Sequence, residues 1–285
     1  MMWRVADIVR SVIAMPCRRG LRLPHLAWLA LPLLLPLLLA LTGCGVWRPV
    51  SVPMASLSEP ARCATPADTL LVMLPGSFAR PEEFVREGFV QALRERRLAV
   101  DMVLVDAHLG YYSDRSIIDR LQADIVAPAR ARGYRSVWLV GISVGAFGAM
   151  IYTQAQPEGI TGIVALGPYL GKRSVTEQVR AAGGLARWQA PGGVLAADEI
   201  DLILWRWLQG ARADGGAAPV PLYLGYGLAD RFLADDELLA AALPAGRVLT
   251  AAGGHDWPVW LTLWQRMLDV LPLRRDATCE PPAAA

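Results

Sequence analysis

The chain has 285 residues, of which 54% are hydrophobic, with 28 basic and 26 acidic side chains and a formal net charge of +2. So balanced a charge excludes the bulk electrostatic attraction by which nucleic-acid binders hold phosphate backbones, and no nucleic-acid partner is expected. Three histidines and four cysteines fall at no metal-ligand spacing, so neither a metal nor another cofactor is expected.

In chain order, the first feature is the run "LAWLALPLLLPLLLAL" at residues 26–41, too short and too broken by proline to be a comfortable membrane span. A basic stretch, "RRGLRLPH", precedes it and "LTGC" follows. Basic segment, apolar stretch and small residues before a cysteine read as a secretory signal peptide. Leu41-Thr42-Gly43-Cys44 resembles the lipobox of bacterial lipoproteins. That resemblance implies removal of residues 1–43, a lipid on Cys44 and a membrane attachment through it. Gly45, where an aspartate would imply inner-membrane retention, points to the outer membrane of the cell envelope, facing the periplasm or the surface. Removal of five arginines and one aspartate turns the net charge from +2 to −2.

Residues 44–67, with Pro49, Pro53, Pro60 and Pro66, read as the lipidated cysteine and a tether. The folded domain is then expected over 68–285. Cys63 stands ahead of its first strand and Cys279 past its last helix, and in an oxidising compartment the pair is expected to tie the two ends together. Two free thiols are the alternative, since spacing alone does not supply the geometry.

From residue 68 short apolar runs alternate with amphipathic stretches. "DTLLVMLPGS" reads as a buried strand and "PEEFVREGFVQALRERR" as a helix turning Phe84, Phe89 and Leu93 inward. "LAVDMVLVDA", "SVWLVGIS", "ITGIVALGP", "VPLYLGYGLAD" and "GRVLTAAGG" read as further strands, with helices between them and a closing helix, "PVWLTLWQRMLDVLP". Near-continuous apolar strands alternating with helices define an α/β class: a mostly parallel sheet covered on both faces. A helical insertion at about 172–218 carries Trp188, Trp205 and Trp207, which either pack into the core or face substrate from a lid.

Parallel sheets place ligands at the carboxyl ends of their strands. Those ends offer Ser77 and Phe78, then His108, then Ser143 within Gly141-Ile142-Ser143-Val144-Gly145, then Asp230, then His255 within "GGHDW". A serine on a Gly-x-Ser-x-Gly turn, followed in order by an acid and a histidine, resembles the α/β-hydrolase family over roughly residues 68–272. The resemblance implies a catalytic triad of Ser143, Asp230 and His255. It also implies an oxyanion hole from the Val144 N–H and a second donor after the first strand, at Ser77 or its neighbour Phe78. The chemistry suits the residues: a serine hydroxyl needs a base as it attacks, a neutral imidazole can serve, and a carboxylate fixes the imidazole tautomer. Asp235, Asp236 and Asp256 are rivals for the acid, the first two at an expected helix start; His108 is expected to line the pocket or bond a loop.

The expectation is therefore a lipid-anchored serine hydrolase, most simply a carboxylesterase acting on a small-molecule or lipid acyl ester. Lipase, thioesterase and acyltransferase chemistry use the same constellation, and a non-catalytic lipoprotein that binds through this fold is the rival of another class.

Overall fold

The computed structural model describes residues 48–213 and 220–280, with side chains given to residue 210 in the first stretch. Seven strands form one sheet in the order β1-β3-β2-β4-β5-β6-β7: β1 (Ser56–Glu59), β2 (Thr69–Leu74), β3 (Asp101–Val105), β4 (Ser136–Ile142), β5 (Gly162–Leu166), β6 (Leu222–Gly227) and β7 (Val248–Ala251). All pairings are parallel except that of β1 with β3.

The continuous apolar runs are explained by a core on each face. Leu70, Val72 and Leu74 of β2 join one cluster, and the intervening Leu71 and Met73 join the other. In β4, Val137 and Leu139 take the first side, and Trp138, Val140 and Ile142 the second. Successive side chains alternate across the pleat, so a strand buried on both faces has no polar face to show.

Two helices after β2 and the last helix of the chain cover the second face. The stretch expected as one helix over 81–97 is broken into α1 (Pro81–Arg86) and α2 (Phe89–Glu95). Gly88, in the left-handed region at φ 84°, makes the break, which no sequence period announces. Phe84, Phe89 and Leu93 are all buried as expected. The other face carries α3 (Leu109–Ser113), α4 (Ile117–Arg120, continued through a π-helical segment Leu121–Val126 into Ala127–Ala131), α5 (Val144–Ala155), α6 (Arg173–Ala181), α7 (Ile200–Ala213) and α8 (Leu233–Ala240). The closing helix is α9 (Trp257–Val270). Among the described residues, no helix is long and apolar enough to cross a membrane.

Residues 48–67 are not a loose tether, which corrects the sequence reading: they belong to the folded unit. β1 adds an antiparallel edge strand, Arg48 pairs with Asp106 at 2.7 Å, Met54 is buried with its N–H on Asp124, and Cys63 is disulfide-bonded to Cys279. The short run Ser56-Leu57-Ser58-Glu59 sits among prolines and has little apolar content, so it reads as loop. Its backbone N–H and C=O groups nonetheless pair with those of β3, extending the sheet by one strand. Cys44 lies outside the described residues.

The insertion also departs from the lid reading. It comprises α6 and α7 joined by an irregular stretch; residues 214–219 lie outside the described residues. Trp188 and Trp205 are buried in the first core cluster and Trp207 packs against it. The Trp205 indole N–H donates to the Leu170 carbonyl at 2.9 Å, which lets a full indole be buried without an orphaned donor. Gln209 donates to the carbonyls of Leu185 and Trp188, tying the irregular stretch to α7. The tryptophans are therefore core residues.

Candidate active site

Chain order steps from β2 outward to β3, then back across to β4, so β2 and β4 are neighbours at a point where the winding reverses. The crevice at such a reversal, outside the carboxyl ends of the strands, is where open α/β sheets place ligands. Ser143 follows β4 and Ser77 follows β2, so both stand at this crevice.

Ser143 has φ 54° and ψ −117°, a conformation that L-residues rarely adopt. Its surroundings hold it there. The Ser143 N–H donates to Leu166 at 3.0 Å, and its carbonyl accepts from Ala146, Phe147 and Tyr169 at 3.1, 3.2 and 3.1 Å. The sharp turn requires close approach on both sides: a Cβ on Gly141 would run into the backbone of Ala146, and one on Gly145 into the Leu74 carbonyl. No residue but glycine fits either place, which is the physical content of the pentapeptide.

Three side chains from separate loops meet at this turn. His255 Nε2 lies 3.0 Å from Ser143 Oγ, and its Nδ1 lies 2.8 Å and 3.1 Å from the two oxygens of Asp230. The Asp230 side chain has 0% exposure and that of His255 has 9%, so both bonds lie in a poorly hydrated place where they are electrostatically strengthened. Asp230 Oδ1 also accepts from the Phe232 N–H at 2.9 Å, which orients the carboxylate. The loops carrying the acid and the histidine are stitched together by Leu228 N–H on Ala251 O and Ala229 N–H on Gly253 O, each 2.8 Å. The imidazole is held edge-on between Phe232 and Trp260, with ring centroids at 5.2 and 4.9 Å. At Gly167 a Cβ would meet Trp260 Nε1, Asp230 Oδ2 and His255 Nδ1 at 2.9, 3.0 and 3.3 Å, so a side chain there would displace the acid–histidine pair.

The rival acids are otherwise engaged. Asp256 caps α9 by accepting from the Val259 N–H at 3.2 Å, and Asp235 pairs with Arg180. Asp236 is fully buried on α8, and neither carboxylate oxygen has a partner among the described residues. Burial, reinforced by the charge of Asp230, pushes its carboxyl up to about 9. His108 is also buried, away from the cavity: its Nδ1 accepts from the Gly110 N–H at 3.1 Å, capping α3. Burial and then the nearby Arg48 charge hold its imidazole below the ordinary range, consistent with an acceptor nitrogen.

A cavity of about 410 Å³ opens on Ser143 and His255, and Gly76, Ser77, Phe78, Trp257, Trp260 and Arg231 line part of its wall. The Ala79 N–H donates to Gly76 O at 3.1 Å, closing a turn whose two inner N–H groups, on Ser77 and Phe78, take no partner among the described residues. The Val144 N–H at the start of α5 is likewise unpaired, and the positive end of the helix dipole lies there. Gly76 packs beside Ser143, a Cβ there lying 3.7 Å from that of the serine. Phe78 is 75% exposed at the rim. Among the described residues no group of three or more histidine, cysteine or acidic side chains could hold a metal. Such a site can take a proton from an alcohol, keep the imidazole oriented and present N–H donors to a developing oxyanion. The sequence reading missed Phe232, Trp260 and Arg231; the first two are large aromatics near the acid and the base, a weak signal in a chain with ten tryptophans.

The fold is the α/β-hydrolase fold. No family model matches the chain and no curated protein does. Among solved structures it is similar to an S-formylglutathione hydrolase from Staphylococcus aureus, with TM-score 0.50 and 13% identity over 79% of this chain and 98% of that one. A substrate-bound fluorophosphonate-binding serine hydrolase from the same organism aligns with TM-score 0.47 and 15% identity, over 76% of this chain and 98% of that one. A ferulic acid esterase gives 0.48 and 12%, over 76% and 97%. At these identities the likeness is one of fold.

Proposed function

We propose that the protein is a serine hydrolase, most simply a carboxylesterase, with Ser143 as nucleophile, His255 as base and then acid, and Asp230 as the group that orients and stabilises the imidazolium. The observation carrying this reading is the unbroken pair of contacts from Ser143 Oγ through the imidazole to a buried carboxylate, at 3.0 and 2.8 Å. Ser143 Oγ attacks the ester carbonyl carbon as its proton passes to His255 Nε2, and the oxyanion is held by the N–H of Val144 and by that of Ser77 or Phe78. Collapse expels the alcohol, which takes the proton from His255, and leaves an acyl-serine. Water then attacks that ester, gives its proton to His255, and the serine regains it as the acid departs.

In the same proposal, residues 1–43 are a cleaved signal and Cys44 carries a lipid that attaches the enzyme to the cell envelope, facing the periplasm or the surface. The disulfide between Cys63 and Cys279 supports an oxidising compartment. A panel of acyl esters and thioesters given to the full chain in detergent tests the activity. Turnover of at least one class that vanishes in Ser143→Ala is expected; turnover unchanged by that substitution rejects the proposal. A mass of the purified, membrane-extracted protein that includes residues 1–43 rejects the anchor.

A further inference from the structure

A second cavity of about 380 Å³ adjoins the first, and the two share one wall residue, Arg231. Its lining includes Tyr169, Phe232, Asp235 and three arginines, Arg173, Arg180 and Arg231, so positive charge exceeds negative. The three guanidiniums are not equivalent. Arg173 is paired with Glu177 on its own helix, and Arg180 with Asp235 across to α8. Arg231 has no carboxylate partner among the described residues; its guanidinium lies over the Phe232 ring, 5.0 Å from the centroid. That ring stands edge-on to His255, so a single aromatic side chain separates the unpaired charge from the imidazole. Among the described residues no acid of either cavity is in ion-pair contact with it: Asp235 pairs with Arg180, Glu83 faces Arg86, and Asp256 caps α9.

Building on the serine hydrolase reading, we propose that this second cavity is an anion subsite, and that the preferred substrates are esters carrying a carboxylate or phosphate that Arg231 binds while Ser143 engages the scissile carbonyl. A guanidinium presents a planar fork of N–H donors matched to either oxyanion, and among the described residues no carboxylate occupies the fork of Arg231. Arg173 and Arg180 border the same cavity with their charges matched by Glu177 and Asp235, so Arg231 supplies the unpaired charge. A neutral ester of the same size leaves Arg231 solvated and gains nothing from it. The subsite thus selects by charge, while the wall of Trp257, Trp260 and Phe78 accepts apolar surface.

The test compares kcat/KM of the full chain in detergent for two matched pairs. One pair is an aryl monoester of succinic acid against the aryl ester of its neutral amide. The other is the acetate of a hydroxyalkyl phosphate against the acetate of the uncharged alcohol. The expected result is a preference of at least about tenfold for the charged member of one pair or both. It should fall to within about twofold in Arg231→Gln and shrink as salt approaches about 1 M. Which pair shows it tells a carboxylate on the acyl half from a phosphate on the alcohol. Labelling of Ser143 by an uncharged fluorophosphonate is measured on each protein. Labelled wild type with no charge preference, or a preference that survives Arg231→Gln, overturns the subsite and leaves the hydrolase reading standing. Failure of folded wild type to be labelled removes both.

Discussion

Asp236 offers a test that does not depend on knowing a substrate. Its carboxyl is fully buried with neither oxygen bonded among the described residues, and burial together with the charge of Asp230 raises it from 3.8 to about 9. Asp235 and Glu237 add to the same effect on its own helix, and the Tyr226 hydroxyl on β6 is itself raised, first by burial and then by the charges of Glu237 and Asp236. The folded state therefore holds a proton that the unfolded state releases above 3.8. Stability from this group is full below that pH and declines as pH rises toward about 9, by about 1.4 kcal/mol per unit. At pH 7 the accumulated cost is of order 4 kcal/mol, an upper bound because relaxation and water entry lessen it. Asp236→Asn has nearly the same shape and cannot ionise. It should leave the urea midpoint at pH 4 almost unchanged and raise it progressively from pH 5 to pH 8. A shift of equal size at both ends of that range, or destabilisation at pH 8, refutes the reasoning, since either would mean that the carboxyl is bonded or hydrated in the folded protein.

Other perturbations have similarly defined outcomes. Gly145→Ala pushes a methyl into the Leu74 carbonyl, so it should cost upwards of about 2 kcal/mol in denaturant unfolding and greatly reduce turnover. Cys279→Ser opens a link spanning 216 residues and should lower stability by about 2–5 kcal/mol, with reducing agent lowering the wild type by the same amount and the variant not at all. Asp230→Asn keeps the shape at the imidazole but removes the charge that favours its protonated form. It should lower kcat by about three to four powers of ten with little change in KM, read from the best ester of the panel.

Much of the architecture was legible because burial on both faces leaves a plain trace. A strand such as Leu70–Leu74 has no room for a polar residue, and the helices between strands supply the amphipathic contrast. Gly141 and Gly145 were legible as a tight turn for the same steric reason. What escaped was set by partners distant along the chain. β1 is held by backbone pairing with β3, which leaves no pattern in its side chains. The break at Gly88 depends on one residue's φ, and Trp205 could be placed only when the Leu170 carbonyl was known to meet its N–H. Asp235 and Asp236 carry the local mark of a helix start, but no local feature says which acid reaches the histidine. In the structure Asp230 reaches the imidazole because its loop is bonded to that of Gly253, while Asp236, next to the Asp235 that pairs with Arg180, is enclosed by the packing of α8.

In the proposed mechanism the Ser143 hydroxyl is activated by His255 and Asp230. The most direct measurement is intact-protein mass spectrometry after exposure to a fluorophosphonate, with peptide mapping of the adduct. One phosphonyl group per chain on Ser143 is predicted, absent in Ser143→Ala and strongly slowed in His255→Ala. A folded wild-type protein that gains no mass, or one that reacts equally fast without His255, would contradict the account.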